Sequence, residues 1–178
     1  MRALRFPAAY VKEIFMAKVA VIMGSISDLD VVKPAIDVLK SFDVEVEARV
    51  ISAHRTPELA HEFAVSAADN NIEVIICAAG KAAHLGGVIA SFTPLPVIGL
   101  PVKSSTMDGL DSLLSMVQMP GGIPVACVAI NGGLNAGLLA VQILAVKYPV
   151  LMKKLQDYKS NLAQKIQQDD AKLQKELK

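Results

Sequence analysis

The sequence predicts an α/β protein in which a parallel sheet lies between two layers of helices. Five short runs rich in β-branched residues recur along the chain, and four of them are almost entirely apolar, as expected for strands covered on both faces. Stretches with helical periodicity separate the runs, and this alternation implies right-handed crossovers and a doubly wound sheet. We therefore expect a flavodoxin-like three-layer αβα sandwich, followed by a long C-terminal helix.

The predicted strands and helices alternate regularly along the first 147 residues. The strands are expected at residues 19–23, 44–51, 74–78, 97–100 and 125–130. The helices are expected at residues 28–42, 57–70, 85–92, 108–117 and 132–147. In the first helix one face collects the apolar side chains Val31, Val32, Ile36, Leu39 and Phe42. Pro57 suits the first turn of the second helix.

The chain from Pro149 onward departs from this alternation. Apolar residues repeat there at spacings of four and three within a Lys- and Gln-rich sequence: Leu151, Leu155, Tyr158, Leu162 and Ile166. A continuous helix to the end of the chain would measure about 45 Å, longer than a small domain is wide. We expect its apolar stripe to pack on a neighbouring subunit. The alternative is a helix that frays after Ile166.

Length and composition fit one domain that associates with copies of itself. We assign residues 17–148 to the α/β catalytic domain and residues 149–178 to the C-terminal helix. We expect residues 1–16 to be a leader that is disordered or that precedes a natural start at Met16. Counting glycine as apolar and leaving tyrosine out gives an apolar fraction of about 57%, above the ~45–50% of soluble domains. Part of that excess is expected in a subunit interface.

Charge and hydropathy argue against several kinds of partner. The net charge is +1, from 18 basic and 17 acidic residues, so the chain as a whole attracts neither nucleic acid nor an anionic membrane. No run approaches the ~18 uninterrupted apolar residues of a membrane span, and we expect a cytoplasmic protein. Cys77 and Cys127 lie inside apolar runs, which predicts buried thiols rather than a disulfide or a metal site.

Polar loops follow the predicted strands, at the edge where parallel sheets of this type bind ligands. The first loop, MGSISD, places Ser25, Ser27 and Asp28 after a glycine and at the start of a helix. Free amides at a helix N-terminus attract phosphate, and Asp28 suits the hydroxyl groups of a ribose. Capping of the helix by Ser27 or Asp28 explains the loop equally well.

The second loop, SAHRTP, ends an apolar strand with three polar side chains, Ser52, His54 and Arg55. Arg55 can bind phosphate with its planar fork, and His54 can exchange a proton near neutral pH. A structural histidine is the alternative, but the position of His54 between Ser52 and Arg55 at a strand end favours a functional role. Thr56 is expected to cap the next helix, and His61 to face solvent.

The third loop, AAGKAAHLGG, consists mostly of small residues. They allow backbone amides to approach a carboxylate closely, although tight helix–sheet packing explains them equally well. His84 in this loop is expected to contact a ligand or to support a residue that does. Ser112 and Gln118 in a fourth loop could each face a neighbouring subunit or the substrate.

Five motifs in order resemble the N5-carboxyaminoimidazole ribonucleotide mutase family, the catalytic subunit of phosphoribosylaminoimidazole carboxylase in purine biosynthesis. The motifs are MGSISD, SAHRTP, AGKAAHL, GLDSLLSMVQMPGGIPV and AINGGLNAGLLAVQILA. The resemblance runs from Lys18 to the middle of the last helix. It implies a flavodoxin-like subunit in an octamer, with the C-terminal helix reaching a neighbour and active sites at subunit junctions. A transient association with the ATP-dependent synthase that supplies the substrate is a further implied partner.

The resemblance also implies the reaction and its residues. The carboxyl group of N5-carboxyaminoimidazole ribonucleotide moves to C4, giving 4-carboxy-5-aminoimidazole ribonucleotide, without metal, cofactor or ATP. His54 is the implied general acid and base. The implied contacts of the ribonucleotide are Ser25, Ser27, Asp28, Ser52 and Arg55. The implied contacts of the migrating carboxyl group lie in the third loop, at Gly80, Ala82, His84 and Leu85.

Two residues depart from the family loop, which reads GGAAHLPG where this chain reads GKAAHLGG. Lys81 replaces a glycine, and it adds a positive charge near the carboxylate or points to solvent. Gly86 replaces a proline and is expected to loosen the loop.

Three other functions compete with the mutase. Direct carboxylation of aminoimidazole ribonucleotide with carbon dioxide is the closest, because a divergent branch of the family performs it, although SAHRTP together with AAHL favours the mutase branch. A phosphate- or flavin-binding module is the second, although the loops lack the aromatic flanks of a flavin site. A scaffold subunit is the third, and it predicts that His54 has no catalytic role.

Overall fold

A five-stranded parallel sheet forms the centre of the protein, which the computed structural model describes from residue 17 to residue 177. The strands are β1 (Lys18–Met23), β2 (Glu45–Val50), β3 (Ile72–Gly80), β4 (Val97–Val102) and β5 (Ala126–Cys127). Their spatial order is β2-β1-β3-β4-β5, and all neighbouring pairs are parallel. The leader predicted over residues 1–16 lies outside the described residues.

Helices cover both faces of the sheet. They are α1 (Leu29–Ser41), α2 (Pro57–Ser66), α3 (Leu85–Phe92), α4 (Leu110–Val117), α5 (Gly133–Ala145) and α6 (Pro149–Glu176). Short 3₁₀ turns, Ile26–Asp28 and Met107–Gly109, precede α1 and α4. The arrangement confirms the predicted doubly wound, flavodoxin-like sandwich. Within residues 17–177, no helix is both long and apolar enough to cross a lipid bilayer.

Each face of the sheet has its own apolar core, because successive side chains of a strand point to opposite faces. Val19, Val21 and Met23 of β1 pack with α1, α5 and α6. Ala20 and Ile22 of the same strand pack with α2, α3 and α4. β4 is buried at all six positions, as its apolar sequence predicts for a strand covered on both faces.

The fifth strand is much shorter than the predicted run at residues 125–130. Only Ala126 and Cys127 pair with β4. Pro101 lies two residues after Gly99, the last residue of β4 that pairs with β5. Its carbonyl accepts a hydrogen bond from the backbone N–H of Asn131 at 2.8 Å, but proline has no N–H of its own to donate to the neighbouring chain. The ladder therefore ends early. Because β5 is an edge strand, Cys127 is only partly buried, against the prediction, whereas Cys77 is fully buried and both thiols are free.

Other element boundaries also differ from the sequence prediction by one to four residues. β3 extends by two residues at each end of the predicted run. Helix α2 ends at Ser66, four residues before the predicted end, because the chain turns back into β3 through Asn71, which has a positive φ of 61°.

The last helix is continuous for 28 residues, about 42 Å, so the fraying alternative is wrong. Its first turns belong to the core of their own chain: Leu151 and Leu155 are buried, and the rings of Phe42 and Tyr158 lie 6.0 Å apart. Lys154 forms a salt bridge with Asp43 at 2.5 Å. From residue 159 to residue 177 every side chain is exposed.

Helices α1 and α5 pack closely because glycine stands at their contact. A Cβ on Gly133 would overlap the carbonyl oxygen of Val31, and a Cβ on Gly137 would lie 2.9 Å from the carbonyl oxygen of Ala35. These backbone oxygens cannot move aside like the end of a flexible side chain. The glycines of the GGLNAG segment therefore set the spacing of the two helices on this face.

Replacing Gly133 with alanine should destabilise the fold. The added methyl group forces α1 and α5 apart, and overpacking of this kind costs about 1–3 kcal/mol. Denaturant unfolding at a fixed protein concentration measures the loss. Gly121→Ala is the matched control, because a Cβ there meets nothing within 4 Å, and its effect should stay within about 0.5 kcal/mol. Equal stability of the two variants would contradict the close-packing argument.

Candidate active site

A cleft of about 650 Å³ opens at the carboxyl edge of the sheet, where the strand order reverses between β1 and β3. At such a reversal the connections leave toward opposite faces, and a crevice forms between the two loops. The loops after β1, β2, β3 and β4 line this cleft. All ten residues that the sequence assigned to the site lie along it: Ser25, Ser27, Asp28, Ser52, His54, Arg55, Gly80, Ala82, His84 and Leu85.

Hydroxyl groups organise the loop after β1. The Ser25 hydroxyl accepts hydrogen bonds from the backbone N–H of Ser27 at 3.3 Å and from the Ser27 hydroxyl at 2.9 Å. Ser25 is thus the capping residue of the short turn, and the predicted capping by Ser27 or Asp28 is wrong. Asp28 makes no capping bond because its backbone is already helical, which turns its carboxylate away from the amides of the next turn.

Asp28 is partly buried in the cleft wall, and burial raises the pKa of its carboxyl group above the ordinary value. Hydrogen bonds from Ser27 and Ser25 and the positive charge of Arg55 oppose that rise without cancelling it. Burial therefore disfavours the ionised form in this structure, and hydroxyl donors on a ligand would favour it.

Arg55 ties the loop after β2 to the loop after β1. Its Nη2 donates to the carbonyl of Gly24 at 2.6 Å, and its Nε donates to the Ser52 hydroxyl at 3.2 Å. These bonds use two of the five guanidinium N–H groups and hold its plane at the cleft, so the others are available to an anion. Thr56 closes the same loop by bonding the backbone of Ser52. It occupies the N-cap position of α2, as predicted, but its side chain makes no capping bond.

His54 and His84 form a hydrogen-bonded pair across the cleft. Nε2 of His54 lies 3.1 Å from Nδ1 of His84, and the rings meet edge to face with centroids 5.2 Å apart. One nitrogen donates and the other accepts, so the bond holds a single proton. His84 of the third loop thereby orients the ring of His54 in the second loop. This agrees with the supporting role considered for His84. A direct ligand contact by His84 is compatible with its exposure.

The third loop runs from the end of β3 to the start of α3. Gly80 is the last strand residue, Leu85 is the first helical residue, and the N–H of His84 donates to the carbonyl of Ala82 at 2.9 Å. Lys81 lines the cleft with a positive φ of 57°.

The part of the cleft that follows β4 was not predicted from the sequence. Val102, Lys103 and Ser104 line it there. The backbone N–H of Lys103 donates to the Asn131 side chain at 2.8 Å, and its ammonium group forms a salt bridge with Asp108 at 2.7 Å. The run KSS after a predicted strand was the available signal, because every carboxyl end of a parallel sheet reaches this edge.

Three other residues considered from the sequence, Ser112, Gln118 and His61, do not line the cleft. Ser112 is fully buried, and its hydroxyl lies 2.9 Å from the carbonyl oxygen of Val102, so it faces neither substrate nor neighbour. Gln118 is exposed at the end of α4. His61 is exposed, as predicted, and its ring packs edge-on against Phe92. Within residues 17–177, no group of three or more His, Cys, Asp or Glu residues is placed to hold a metal ion.

Comparison with known proteins identifies relatives of the whole domain. The family model described as AIR carboxylase matches residues 18–165. The N5-carboxyaminoimidazole ribonucleotide mutase of Thermotoga maritima is 54% identical over 85% of this chain and 88% of its own. The mutase of Pyrococcus abyssi is 58% identical over 83% of this chain and 84% of its own. The crystal structure of Treponema denticola PurE superposes with a TM-score of 0.81 at 31% identity, covering 88% of this chain and 98% of that one.

Asp28→Asn should stabilise the folded protein at pH 7. Since burial raises the folded-state pKa, the folded protein disfavours the ionised carboxyl group, and stability is lost as the pH rises through that pKa. An uncharged amide avoids this loss. The gain should disappear below the ordinary aspartate pKa of 3.8, where both states are protonated.

Thermal unfolding of the two proteins across pH 3–8 measures this difference. Glu62→Gln, which removes an exposed carboxylate from the middle of α2, is the control and should leave the midpoint unchanged. A lower midpoint for Asp28→Asn at pH 7 would show that the charge stabilises the fold.

Proposed function

The chain belongs to the AIR carboxylase family, and from that premise we propose that the cleft performs the reaction of an N5-carboxyaminoimidazole ribonucleotide mutase. The protein is an isomerase of purine biosynthesis that moves the carboxyl group from the exocyclic nitrogen to C4 of the imidazole. Identity above 50% with mutases over most of both chains supports this activity. The observation that assigns it to the cleft is the meeting of the His54–Arg55 loop with the His84 loop at the reversal of strand order.

The ribonucleotide is proposed to bind across the first two loops. Arg55 and the hydroxyl groups of Ser25, Ser27 and Ser52 offer donors to the phosphate, beside a helix N-terminus that favours an anion. The Asp28 carboxylate, whose ionised form burial disfavours in the free protein, accepts hydrogen bonds from the ribose hydroxyl groups. This placement directs the imidazole ring toward His54 and the third loop.

His54 is proposed to act as both acid and base. It donates a proton to the exocyclic nitrogen as the bond between that nitrogen and the carboxyl carbon breaks, which releases carbon dioxide and aminoimidazole ribonucleotide. The enamine-like C4 attacks the carbon dioxide and forms the new carbon–carbon bond. His54 then removes the C4 proton, which restores the aromatic ring and its own protonation state. One proton leaves and one returns, so no co-reactant is needed.

The third loop is proposed to hold the migrating group. Gly80, Ala82, His84 and Leu85 line the cleft on the side of this loop, where backbone amides can approach a carboxylate. Carbon dioxide must stay beside C4 between the two steps, and a pocket that excludes water keeps the two reactants together. The bond from His84 holds the His54 ring so that it faces first one atom of the substrate and then the other.

Association with copies of the same chain is proposed from two exposed apolar surfaces. The first is a stripe on the C-terminal part of α6: Leu162, Ile166, Leu173 and Leu177, each 48–73% exposed. The second is a face of α4 and the preceding turn: Met107, Leu110, Leu114 and Val117, each 42–62% exposed. Apolar residues that recur along one face indicate a partner surface. We propose a homo-oligomer, with the octamer that the resemblance implies, in which the end of α6 lies on a neighbour.

Two further proposals concern the surroundings of the enzyme. Both cysteines are free thiols, which is typical of a reducing compartment and supports a cytoplasmic location.

The substrate is a carbamate, a group that loses carbon dioxide readily in water. Transient association with the ATP-dependent synthase that produces it would shorten its time in solution.

The test of the function is an ATP-free incubation of the purified protein. One sample contains N5-carboxyaminoimidazole ribonucleotide at low bicarbonate, and the other contains aminoimidazole ribonucleotide with bicarbonate. Efficient formation of the C4-carboxylated product in the first sample supports the mutase. Efficient formation only in the second would replace it with direct carboxylation.

In the first sample, His54→Gln should lower turnover by about 10²–10⁴-fold, the usual contribution of a general acid and base. Its circular dichroism and sedimentation should match the unaltered protein. His61→Gln, an exposed histidine outside the cleft, is the control and should turn over normally. Near-normal turnover of His54→Gln would overturn the assigned role.

Ending the chain at Ser160 should reduce the mass of the oligomer while keeping the domain folded. This cut spares Leu151 and Leu155, which belong to the domain core, and removes the exposed stripe. Leu162→Gln with Ile166→Gln should act in the same direction because it makes the stripe polar. Gln164→Ala with Gln168→Ala, on the opposite face of the same turns, should leave the mass unchanged. Sedimentation velocity measures all three, and an unchanged mass after truncation would refute the interface.

A further inference from the structure

Lys81 adds a positive charge to the lining of the cleft. It follows Gly80, the last residue of β3, and it lines the same cleft as His54 and His84. Among residues 17–177, Lys81 takes part in no salt bridge. Its ammonium group is therefore available to a ligand.

The backbone geometry at Lys81 does not favour lysine. Its φ of 57° lies in the left-handed region, which glycine adopts at little cost and which a side chain with a Cβ disfavours. Glycine, the residue of the family loop at this position, would satisfy the turn. The contribution of lysine to the site must therefore come from its side chain.

The other cations that line the cleft already have partners within the chain. Arg55 donates to the Gly24 carbonyl and the Ser52 hydroxyl, and the Lys103 ammonium group pairs with Asp108. The substrate and the product each carry two anionic groups, a phosphate and a carboxylate. With the phosphate proposed at Arg55, the carboxylate lies toward the third loop, within the part of the cleft that Lys81 lines.

Resting on the proposed function, we propose that the Lys81 ammonium group binds the carboxylate of both carboxylated ribonucleotides, so that the cleft distinguishes them from aminoimidazole ribonucleotide. The carboxyl group is charged in substrate and product but neutral as carbon dioxide between the two steps. A cation at this place stabilises both ground states more than the species between them. Lys81 is therefore a residue of binding and specificity, and its removal does not slow the chemistry.

The first test compares the binding of two ligands by titration calorimetry in bicarbonate-free buffer. The ligands are 4-carboxy-5-aminoimidazole ribonucleotide and aminoimidazole ribonucleotide, which share the ribose and the phosphate. Lys81→Met keeps the length of the side chain and removes its charge. It should weaken binding of the carboxylated ligand about tenfold, the size of one charge-assisted hydrogen bond, and change binding of the other less than twofold.

Three further variants separate charge from backbone strain. Lys81→Arg should retain most of the affinity for the carboxylated ligand. Lys81→Gly should lose affinity as Lys81→Met does while unfolding at a higher temperature, because it relieves the strained φ. Lys40→Met removes an exposed lysine of α1 outside the cleft and should bind both ligands normally.

The second test is kinetic, on N5-carboxyaminoimidazole ribonucleotide. Lys81→Met should raise KM about tenfold without lowering kcat. Equal weakening of both ligands would overturn the proposal, because it would place Lys81 on the phosphate. A tenfold fall in kcat at unchanged KM would overturn it too, because Lys81 would then act on the chemistry. An unaltered protein that prefers the carboxylated ligand but does not interconvert the two carboxylated ribonucleotides would refute the mutase and leave the binding role of Lys81 standing.

Discussion

The common direction of the five strands is the constraint on which the rest of this structure depends. Parallel strands cannot be joined by tight hairpins, so every connection crosses a face of the sheet and brings a helix with it. All the carboxyl ends therefore meet at one edge. Because the order reverses between β1 and β3, the loops after these strands diverge, and the cleft opens between them.

Two polar links convert neighbouring loops into a single site. Arg55 binds the loop after β2 to the Gly24 carbonyl after β1, and the bond between His54 and His84 joins the loop after β2 to the loop before α3. Both links use the side chains that the proposed reaction requires. The groups are consequently held in place before a ligand arrives, which reduces the ordering cost of binding. Asp28 is the exception, since burial works against its charge in the free protein.

The helices on one face of the sheet serve stability and, in the proposed oligomer, assembly. Gly133 and Gly137 bring α5 close to α1, and the first turns of α6 complete the core on that face. The remainder of α6 extends from the domain with an exposed apolar stripe, and this stripe carries the proposed contact with a neighbouring subunit.

Much of the fold and of the site was predictable from the sequence alone. Apolar runs with two-residue and 3.6-residue periods determine the order of strands and helices, and the position of SAHRTP at a strand end places His54 and Arg55 at the carboxyl edge. These features depend only on residues close together in the chain, so the sequence alone specifies them. The pairing of His54 with His84 and the contribution of Lys103 to the cleft depend on which loops become neighbours, and only the tertiary structure decided that. The early end of β5 has the same cause, because the missing N–H of Pro101 matters only once β4 and β5 lie side by side.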